Sequence, residues 1–452
     1  MSAKITFHGG AGTVTGANFL LDTGTQRILI DCGILQRERV CDIANSAPFA
    51  YDVASVDALV VTHAHADHIG RIPRLVRDGF SGTIHSTGAT KELAALMYAD
   101  ALRVMQDEAL KNGCEILYEA EDVEKALSLW GAHEYHEPFL LGDVSVEFLD
   151  AGHILGSAIV KMARASRSII FSGDLGNSPE PLLNDMESPE GAQYIVMESV
   201  YGDRMHEGRD ERREQLRLCV ERTRARKGVL LIPSFSLERT QLLLFELNMM
   251  IEEGALIPIP VYLDSPLAIE VTEVFRKFRH ILNPKAQKHF SEGGDPFSFQ
   301  SLKLTREVNE SHAIHIAPSP KIIIAGAGMS HGGRIRTHEK YYLGDKHATI
   351  LFVGYQVPGS LGRRIQDGEK RVEIDGEHIR IYAGRETLSG YSGHADREQL
   401  LTFVERAGEG LERVFVAMGE PQASMFLAQR IRDFLGVDAV VPDAGKTFEI
   451  KW

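Results

Sequence analysis

The first part of the chain alternates short apolar runs with turns, and several of these runs end on polar residues close to a glycine. Runs of this kind are 28–30, 59–61 and 169–171, and the polar residues that follow them include Asp31, His63 and Asp174. Uninterrupted apolar runs are typical of buried strands, because a strand covered on both faces needs apolar side chains at successive positions. The pattern therefore predicts buried strands that present polar side chains at their ends. Between them, apolar residues recur at about 3.6-residue intervals and predict a helix over 91–110.

The pattern changes at His206, where strand-like apolar runs begin to alternate with helical stretches. These runs lie at 229–232, 259–263, 321–324 and 348–353. Such alternation is typical of a parallel α/β unit. After Asp367 the strand-rich pattern returns. The sequence therefore predicts three segments, with the bounds 1–205, 206–366 and 367–452.

The charge of the chain is unevenly distributed. The 452 residues carry a formal net charge of −14 at pH 7, which argues against a polyanionic partner because long-range repulsion slows the encounter. Residues 206–366, however, contain 23 Lys and Arg against 18 Asp and Glu, a net of +5. A basic segment in an acidic chain indicates contact with nucleic acid or another anion, although solvated helix faces explain the same charges.

The cellular compartment is indicated by the cysteines and by the start of the chain. The sequence shows neither a signal peptide nor an apolar stretch of about 20 residues, the length that spans a bilayer. Its four cysteines, Cys32, Cys41, Cys114 and Cys219, form no C-x-x-C pair. A disulfide framework and a thiolate zinc site are therefore disfavoured. We expect a soluble protein of the reducing cytoplasm that does not bind membranes.

The strongest chemical signal is the run Thr-His-Ala-His-Ala-Asp-His-Ile-Gly at residues 62–70. At a strand end His63 and His65 point the same way, while Asp67 and His68 in the following turn face a second point. Imidazole nitrogen and carboxylate oxygen suit zinc or a similar divalent metal. Four such side chains clustered without a cation would be unfavourable. The run therefore predicts a metal site rather than a solvated polar turn.

This run resembles the metallo-β-lactamase fold superfamily, whose members hold one or two metals at the edge of an αββα sandwich. Three further residues match motifs of that superfamily, namely Asp31, His153 and Asp174. The resemblance implies that Asp31 orients a histidine ligand. It also implies two ligand sets that share one carboxylate, which are His63, His65, His153 and Asp174 for the first metal and Asp67, His68 and Asp174 for the second.

Later motifs resemble the β-CASP group of this superfamily, which comprises RNA- and DNA-processing nucleases. The motifs lie at 197–204, 234–241, 262–268, 328–334 and 353–364. The resemblance implies an α/β fold in which residues 206–366 form a parallel α/β cap inserted into the αββα sandwich. It implies a metal-dependent ribonuclease that cleaves endonucleolytically or 5′-exonucleolytically. Single-stranded RNA is then expected between the cap and the catalytic domain, and DNA is not excluded as a substrate. The resemblance also suggests that the chain forms a homodimer through its C-terminal region.

The residues for proton transfer come from the same resemblance. His394 matches the second motif of the β-CASP group, and Glu198 matches the acidic residue that orients it. A histidine held by a carboxylate can act as general acid for the leaving oxygen, while a metal pair supplies hydroxide by lowering the pKa of a water. The predicted catalytic residues are therefore Asp67, His394 and Glu198. An unpartnered strand-end carboxylate is the alternative for Glu198.

Two glycine-rich turns of the middle segment are predicted to bind RNA phosphates through backbone N–H groups and guanidinium forks. Their candidate residues are Ser330, Gly332, Gly333, Arg334, Ser360, Arg363 and Arg364. Helix caps with surface arginines are the structural alternative. Residues 328–332 also fit the G-x-S-x-G nucleophile elbow, which would make Ser330 the nucleophile of an esterase, but that hypothesis leaves the histidines of 62–70 unexplained.

One position departs from the β-CASP pattern. Where that family has its last metal-binding histidine the chain has Met418, and no histidine follows His394. A neutral thioether is a poor partner for zinc. The sequence therefore predicts Zn²⁺ bound tightly at the first site and weakly at the second, with Mn²⁺ as an alternative ion. Catalysis persists if water fills the open position. The competing hypothesis is a catalytically weak or inactive RNA-binding scaffold of a processing complex.

Overall fold

The computed structural model describes residues 2–36, 43–113, 115–206, 208, 211–357 and 359–452. The chain divides into two compact units, residues 1–205 with 394–452 and residues 206–393. Cys41 and Cys114 lie outside the described residues, whereas Cys32 and Cys219 are buried free thiols. Among the described helices, none combines the length and the apolar character that crossing a bilayer demands.

The strands, numbered along the chain, are β1 (Ser2–Gly9), β2 (Asn18–Asp22), β3 (Arg27–Ile30), β4 (Ala58–Val60), β5 (Thr83–Thr87), β6 (Trp130–His133), β7 (Phe139–Leu141), β8 (Val144–Asp150), β9 (Ala158–Arg164), β10 (Arg167–Phe171), β11 (Tyr194–Met197), β12 (Val229–Pro233), β13 (Val261–Asp264), β14 (Leu302–Leu304), β15 (Lys321–Ala325), β16 (Thr349–Phe352), β17 (Arg371–Ile374), β18 (Glu377–Arg380), β19 (Gly384–Thr387), β20 (Arg413–Val416), β21 (Asp438–Val440) and β22 (Thr447–Lys451).

The helices, numbered in the same way, are α1 (Ile43–Ser46), α2 (Ala66–Ile69), α3 (Ile72–Arg77), α4 (Gly88–Asn112), α5 (Ala120–Ser128), α6 (Arg212–Ala225), α7 (Arg239–Glu252), α8 (Pro266–Lys277), α9 (Pro284–Ser291), α10 (Val308–Ile316), α11 (Ile335–Tyr342), α12 (Leu361–Gln366), α13 (Arg397–Glu405) and α14 (Pro421–Arg430). The helix predicted over 91–110 corresponds to α4. Its first turn is capped by the Thr87 hydroxyl, and it ends at Gly113, whose φ of 67° is the left-handed conformation that glycine adopts without strain.

The first unit is built on two facing sheets. Their strand orders are β22-β1-β2-β3-β4-β5-β6 and β21-β20-β11-β10-β9-β8-β7. Pairing is parallel from β3 to β6 and again along β10, β11, β20 and β21, whereas the hairpin strands of both sheets pair antiparallel. The buried apolar runs of the sequence are thus central strands, as their uninterrupted hydrophobicity predicted.

Apolar side chains from both sheets fill the space between them. Phe7 and Phe19 of the first sheet share one core cluster with Phe148, Phe171 and Phe415 of the second. On the outer face of the second sheet, α13 and α14 bury their apolar sides against β10, β11 and β20. Helix α4 packs against β5 and β6 of the first sheet. This layering confirms the predicted αββα sandwich.

The second unit is built on a parallel sheet with the order β14-β13-β15-β12-β16-β19. Every strand pair of this sheet is parallel. The hairpin of β17 and β18 stands apart as a two-stranded sheet. Because β19 pairs with β16, residues 371–387 belong to the second unit, and the compact division of the chain falls at residue 393 rather than at residue 366.

The segment that carries the histidine run is fixed by backbone hydrogen bonds to the loop after β3 and to the residue before β2. The N–H of Cys32 donates to the carbonyl of His68 at 2.7 Å, and the N–H of Ala17 donates to the carbonyl of Asp67 at 2.9 Å. A Cβ on Gly33 would lie only 1.5 Å from the Asp67 carbonyl oxygen. Glycine is therefore required at residue 33 for this close approach.

We expect Gly33→Ala to destabilise the first unit, because the added methyl group forces the two loops apart. A backbone clash of this kind costs about 2 kcal/mol, which lowers the unfolding midpoint by about 4 °C in a domain of this size. Differential scanning calorimetry measures the shift. Gly410→Ala is the matched control, since its Cβ would meet only the Gln193 amide at 3.5 Å. Equal midpoints for the two variants would contradict this account.

Candidate metal centre

The predicted metal ligands, together with Asp31 and Glu198, converge at one edge of the sandwich, because each of them follows a strand that ends there. Asp31 follows β3, the histidine run follows β4, and Glu198 follows β11. His153 and Asp174 lie just after β8 and β10. Residues far apart in sequence therefore meet at adjacent strand ends of the two sheets.

The first group of side chains that could hold a metal ion is His63, His65, His153 and Asp174, whose donor atoms all lie within 4.8 Å of one another. The Nε2 atoms of His63 and His153 lie 3.5 and 3.6 Å from Oδ2 of Asp174. The same two nitrogens each lie 3.1 Å from Nδ1 of His65. Three imidazoles and a carboxylate that converge in this way form the donor set typical of a divalent zinc site.

The second group is Asp67, His68 and Asp174. Nε2 of His68 lies 3.4 Å from Oδ1 of Asp174 and 4.0 Å from Oδ2 of Asp67. His68 Nε2 and Asp174 Oδ1 are both buried and make no hydrogen bond within the described part of the chain. Buried polar atoms without a partner are costly, and a cation bound between them would satisfy both. These residues fit a second divalent metal that shares Asp174 with the first.

Asp31 orients His68. Its Oδ2 accepts from Nδ1 of His68 at 2.7 Å, and the carboxylate also accepts the hydroxyl and the backbone N–H of Thr62, each at 2.8 Å. Asp31 has φ 57°, a left-handed conformation that is unusual for a residue with a side chain. With Nδ1 held in this way, Nε2 of His68 faces the centre.

Thr62 is a residue that the sequence analysis missed. Besides binding Asp31, its hydroxyl lies 3.1 Å from Nδ1 of His63 and 3.3 Å from Nδ1 of His68. One hydroxyl thus contacts a histidine of each group. Its position between β4 and the first histidine could have indicated a role in the site. Threonine was not considered because its hydroxyl is not a usual metal ligand.

The charges of the centre depend on one another. Burial lowers the pKa of His63 well below its ordinary value, and His68 lowers it further. Burial also opposes protonation of His68, but the carboxylates of Asp174 and Asp31 outweigh it and raise its pKa. Burial raises the pKa of Asp67 to about 6. The carboxylates of this cluster therefore require a nearby positive charge, which is the role that a bound cation fills.

Glu198 and His394 form a pair beside the two groups. Nδ1 of His394 lies 3.2 Å from Oε2 of Glu198, and the other carboxylate oxygen accepts the N–H of Leu175 at 2.6 Å. Burial lowers the pKa of His394, yet Glu198 and Asp174 reverse the shift and raise it to about 9. Two residues after His394, Asp396 caps α13. Glu198 is therefore partnered.

Met418 lies in the core between the two sheets and lines a small cavity together with Asp31, Thr62, His68 and Glu198. Its side chain is 3% exposed and belongs to the cluster between the two sheets. A Cβ on Gly10 would lie 2.4 Å from its sulfur, so the thioether fills the space above that glycine. Its backbone is fixed as well, since its N–H donates to the Gly10 carbonyl at 2.7 Å and its carbonyl accepts from Ser199 at 3.1 Å.

The phosphate-binding candidates of the second unit include three arginines. Each of them has a carboxylate partner in that unit. Arg334 pairs with the fully buried Asp264 at 2.6 Å. Arg363 pairs with Asp367 at 2.9 Å, and Arg364 pairs with Glu369 at 2.7 Å. The two exposed pairs can open at little cost, whereas the Arg334 pair is structural.

The other candidates of these turns have structural roles as well. Ser360 caps α12 by accepting the N–H of Arg363 at 3.1 Å. Gly333 has φ 70° and a close approach to the Gly326 carbonyl, while Gly332 faces open space. Ser330 is fully buried and donates its hydroxyl to Glu339, so it is placed neither for a phosphate nor for attack as an esterase nucleophile.

Comparison with known proteins identifies the family. Family models match as a Beta-Casp domain over residues 240–365, as the Anti-Pycsar protein Apyc1 over residues 5–206, and as a Zn-dependent metallo-hydrolase RNA specificity domain over residues 378–442. Among solved structures, a protein of unknown function from Enterococcus faecalis V583 aligns over 100% of both chains with a TM-score of 0.55 at 12% identity, a likeness that shows the fold alone.

Curated relatives extend over nearly the whole chain. Ribonuclease TTHA0252 from Thermus thermophilus is 37% identical over 94% of this chain and 95% of that protein. Transcription termination factor FttA from Methanosarcina mazei is 32% identical over 96% of this chain and 70% of that protein. The resemblance noted in the sequence is thereby confirmed, and the chain belongs to the β-CASP family of metallo-β-lactamase-fold proteins.

Proposed function

We propose that the chain is a metal-dependent ribonuclease that hydrolyses phosphodiester bonds of single-stranded RNA. The observation that carries the proposal is the convergence of His63, His65, His153, Asp67 and His68 on the shared carboxylate of Asp174. The match to an RNA specificity domain and the relative named a ribonuclease support RNA as the substrate. DNA is the alternative polymer, and the cleavage mode is endonucleolytic or 5′-exonucleolytic.

Zn²⁺ is the proposed ion, with Mn²⁺ as the alternative. His63, His65, His153 and Asp174 would hold the first ion, and Asp67, His68 and Asp174 would hold the second. Such a pair, when bound, supplies a hydroxide at neutral pH and offsets the negative charge of the phosphate. Asp31 keeps the ring of His68 oriented for this task through its hydrogen bond at 2.7 Å.

His394 is the proposed general acid. Glu198 accepts from Nδ1 and so leaves Nε2 as the nitrogen that can donate a proton to the leaving oxygen. Glu198 is 1% exposed and is fixed by the Leu175 N–H, which makes it a rigid positioning residue. Asp67 would serve as a ligand carboxylate of the second ion. The location of the protein in the cytoplasm and its association as a homodimer stay predictions.

We expect His394→Ala to lower kcat for RNA cleavage by about 10²- to 10⁴-fold, the usual contribution of a general acid. Asp67→Ala should abolish cleavage because it removes a ligand. End-labelled single-stranded RNA, incubated with zinc or manganese and resolved on a sequencing gel, measures both effects. His378→Ala, which changes an exposed histidine of β18, is the control and should cleave like the parent protein. Full activity in Asp67→Ala would refute the proposed centre.

Metal content tests the consequence of Met418. We expect about one tightly held equivalent per chain after dialysis against metal-free buffer, because the second site has three protein ligands and the thioether is packed above Gly10. Met418→His should raise the retained metal, while Met418→Leu, which keeps the apolar packing, should not. Atomic emission on the dialysed proteins gives the stoichiometry. Two tightly held equivalents in the parent protein would contradict this prediction.

The exposed ion pairs of Arg363 and Arg364 predict how RNA affinity depends on salt. Arg363 and Arg364 are 37% and 43% exposed, so opening their ion pairs to bind phosphates costs little. Replacing either by Ala should weaken binding and reduce the slope of log K against log salt by about 0.7 for each phosphate that is no longer neutralised. Fluorescence anisotropy over a salt series measures the slope. Arg371→Ala is the control. An unchanged slope in the variant that replaces both Arg363 and Arg364 would show that neither arginine contacts RNA phosphates.

A non-catalytic RNA-binding scaffold is the second candidate function. It is favoured by Met418, which stands where the family has its last ligand histidine. The experiment with end-labelled RNA separates the two candidates, since RNA binding without cleavage in either metal supports the scaffold. The complete first group of possible ligands and the pair of buried Glu198 with partly exposed His394 favour the enzyme.

A further inference from the structure

The second unit carries an exposed aromatic ring at the carboxyl end of its parallel sheet. Phe235 follows the central strand β12, which lies between β15 and β16, and 41% of its side chain is exposed. In open parallel α/β sheets ligands bind outside the carboxyl ends of the strands, where the connecting loops separate. Phe235 therefore lies at the edge where a ligand of this unit is expected.

Backbone from two neighbouring loops holds the ring in place. A Cβ on Gly328, after β15, would lie 2.7 Å from Cδ2 of Phe235, and a Cβ on Gly354, after β16, would lie 3.4 Å from Cε2. The amide of Gln356 ties the two loops together, since its Nε2 donates to the carbonyls of Gly328 and Gly354 at 3.0 and 3.2 Å. One edge of the ring thus rests on backbone, and part of the ring is left open.

Uncharged polar groups adjoin this position. The hydroxyls of Ser236 and Ser265 lie 3.2 Å apart, and a Cβ on Gly326 would lie within 3.6 Å of both. Tyr355, which follows Gly354, is 50% exposed. The nearby guanidinium of Arg334 is committed to Asp264. The surface around Phe235 is therefore aromatic and hydroxylic, which suits a base and its sugar better than a phosphate.

We propose that Phe235 is a base-stacking residue, on which one nucleobase of single-stranded RNA stacks while Ser236 contacts the same nucleotide. The inference rests on the proposed function, because that function supplies RNA as the ligand. An aromatic ring fixed on backbone loses little conformational entropy on binding. Stacking accepts any base, since every base has a π face, so this contact adds affinity without sequence preference.

The test uses the full chain with Asp67→Ala, which prevents cleavage, and a short fluorescent oligouridine read by anisotropy. Phe235→Ala should raise the Kd about tenfold or more, the usual loss for one stacked base. Phe235→Trp, which keeps a stacking face, should bind like the parent. Tyr382→Ala removes another exposed aromatic of the same unit and should have no effect. An unchanged Kd in Phe235→Ala would overturn the inference.

A set of oligonucleotides with one abasic position each identifies the contact as a base. In the parent protein one position should weaken binding when its base is missing, and Phe235→Ala should be insensitive at that position. If Phe235→Ala weakens the intact and all abasic oligonucleotides equally, the ring contacts no base and the inference fails. If Phe235→Ala leaves RNA binding intact but abolishes association with a protein, the surface is a protein interface and the inference is again wrong.

The outcomes separate this inference from the proposed function. RNA binding and cleavage by the parent chain, together with normal binding by Phe235→Ala, would leave the ribonuclease standing and remove the stacking residue. A parent chain that binds no RNA in any metal would remove both. The unfolding midpoint of Phe235→Ala should equal that of Phe235→Trp, which shows that the lost affinity is not a loss of fold.

Discussion

The carboxylate of Asp174 is the group on which the centre depends. It is 3% exposed, and its two oxygens lie 3.4 to 3.6 Å from nitrogens of His63, His68 and His153. A buried carboxylate is unfavourable unless positive charge lies beside it. In the chain alone, Asp174 and Asp31 raise the pKa of His68 and so favour its positively charged form, and a bound divalent cation would supply positive charge more fully. Metal binding therefore stabilises an arrangement that the fold has already assembled.

The sandwich can hold this arrangement because its strands deliver the ligands to one edge and its core is closely filled. Phe19, Phe171 and Met418 lie in the apolar cluster between the sheets that support the ligand loops. Met418 contributes to this packing. The group His63, His65, His153 and Asp174 offers four possible donors, whereas the group Asp67, His68 and Asp174 offers three.

Local sequence patterns pointed to the four candidate donors of residues 62–70, because these are neighbours along the chain and need no tertiary information, whereas His153 and Asp174 were expected only from the resemblance to a known superfamily. The partner of Asp31 could not be assigned in this way, since the choice among three nearby histidines depends on ring orientation. The partner of Arg334 was out of reach as well, because Asp264 is distant in sequence and meets it only in the folded unit. Asp367, by contrast, stands four residues after Arg363, so that ion pair was open to sequence reasoning.

The charge of the chain bears on how it can bind RNA. The net charge is −14, and the middle segment has an excess of only five positive charges. One arginine of that segment, Arg334, is paired with a buried carboxylate. Counterion release, which scales with the number of phosphates neutralised, is therefore a limited source of affinity for this chain. A base stacked on Phe235 would supply affinity that does not depend on cations. Such a contact would reconcile an acidic protein with a polyanionic substrate, because binding would not require the protein to carry a large positive field.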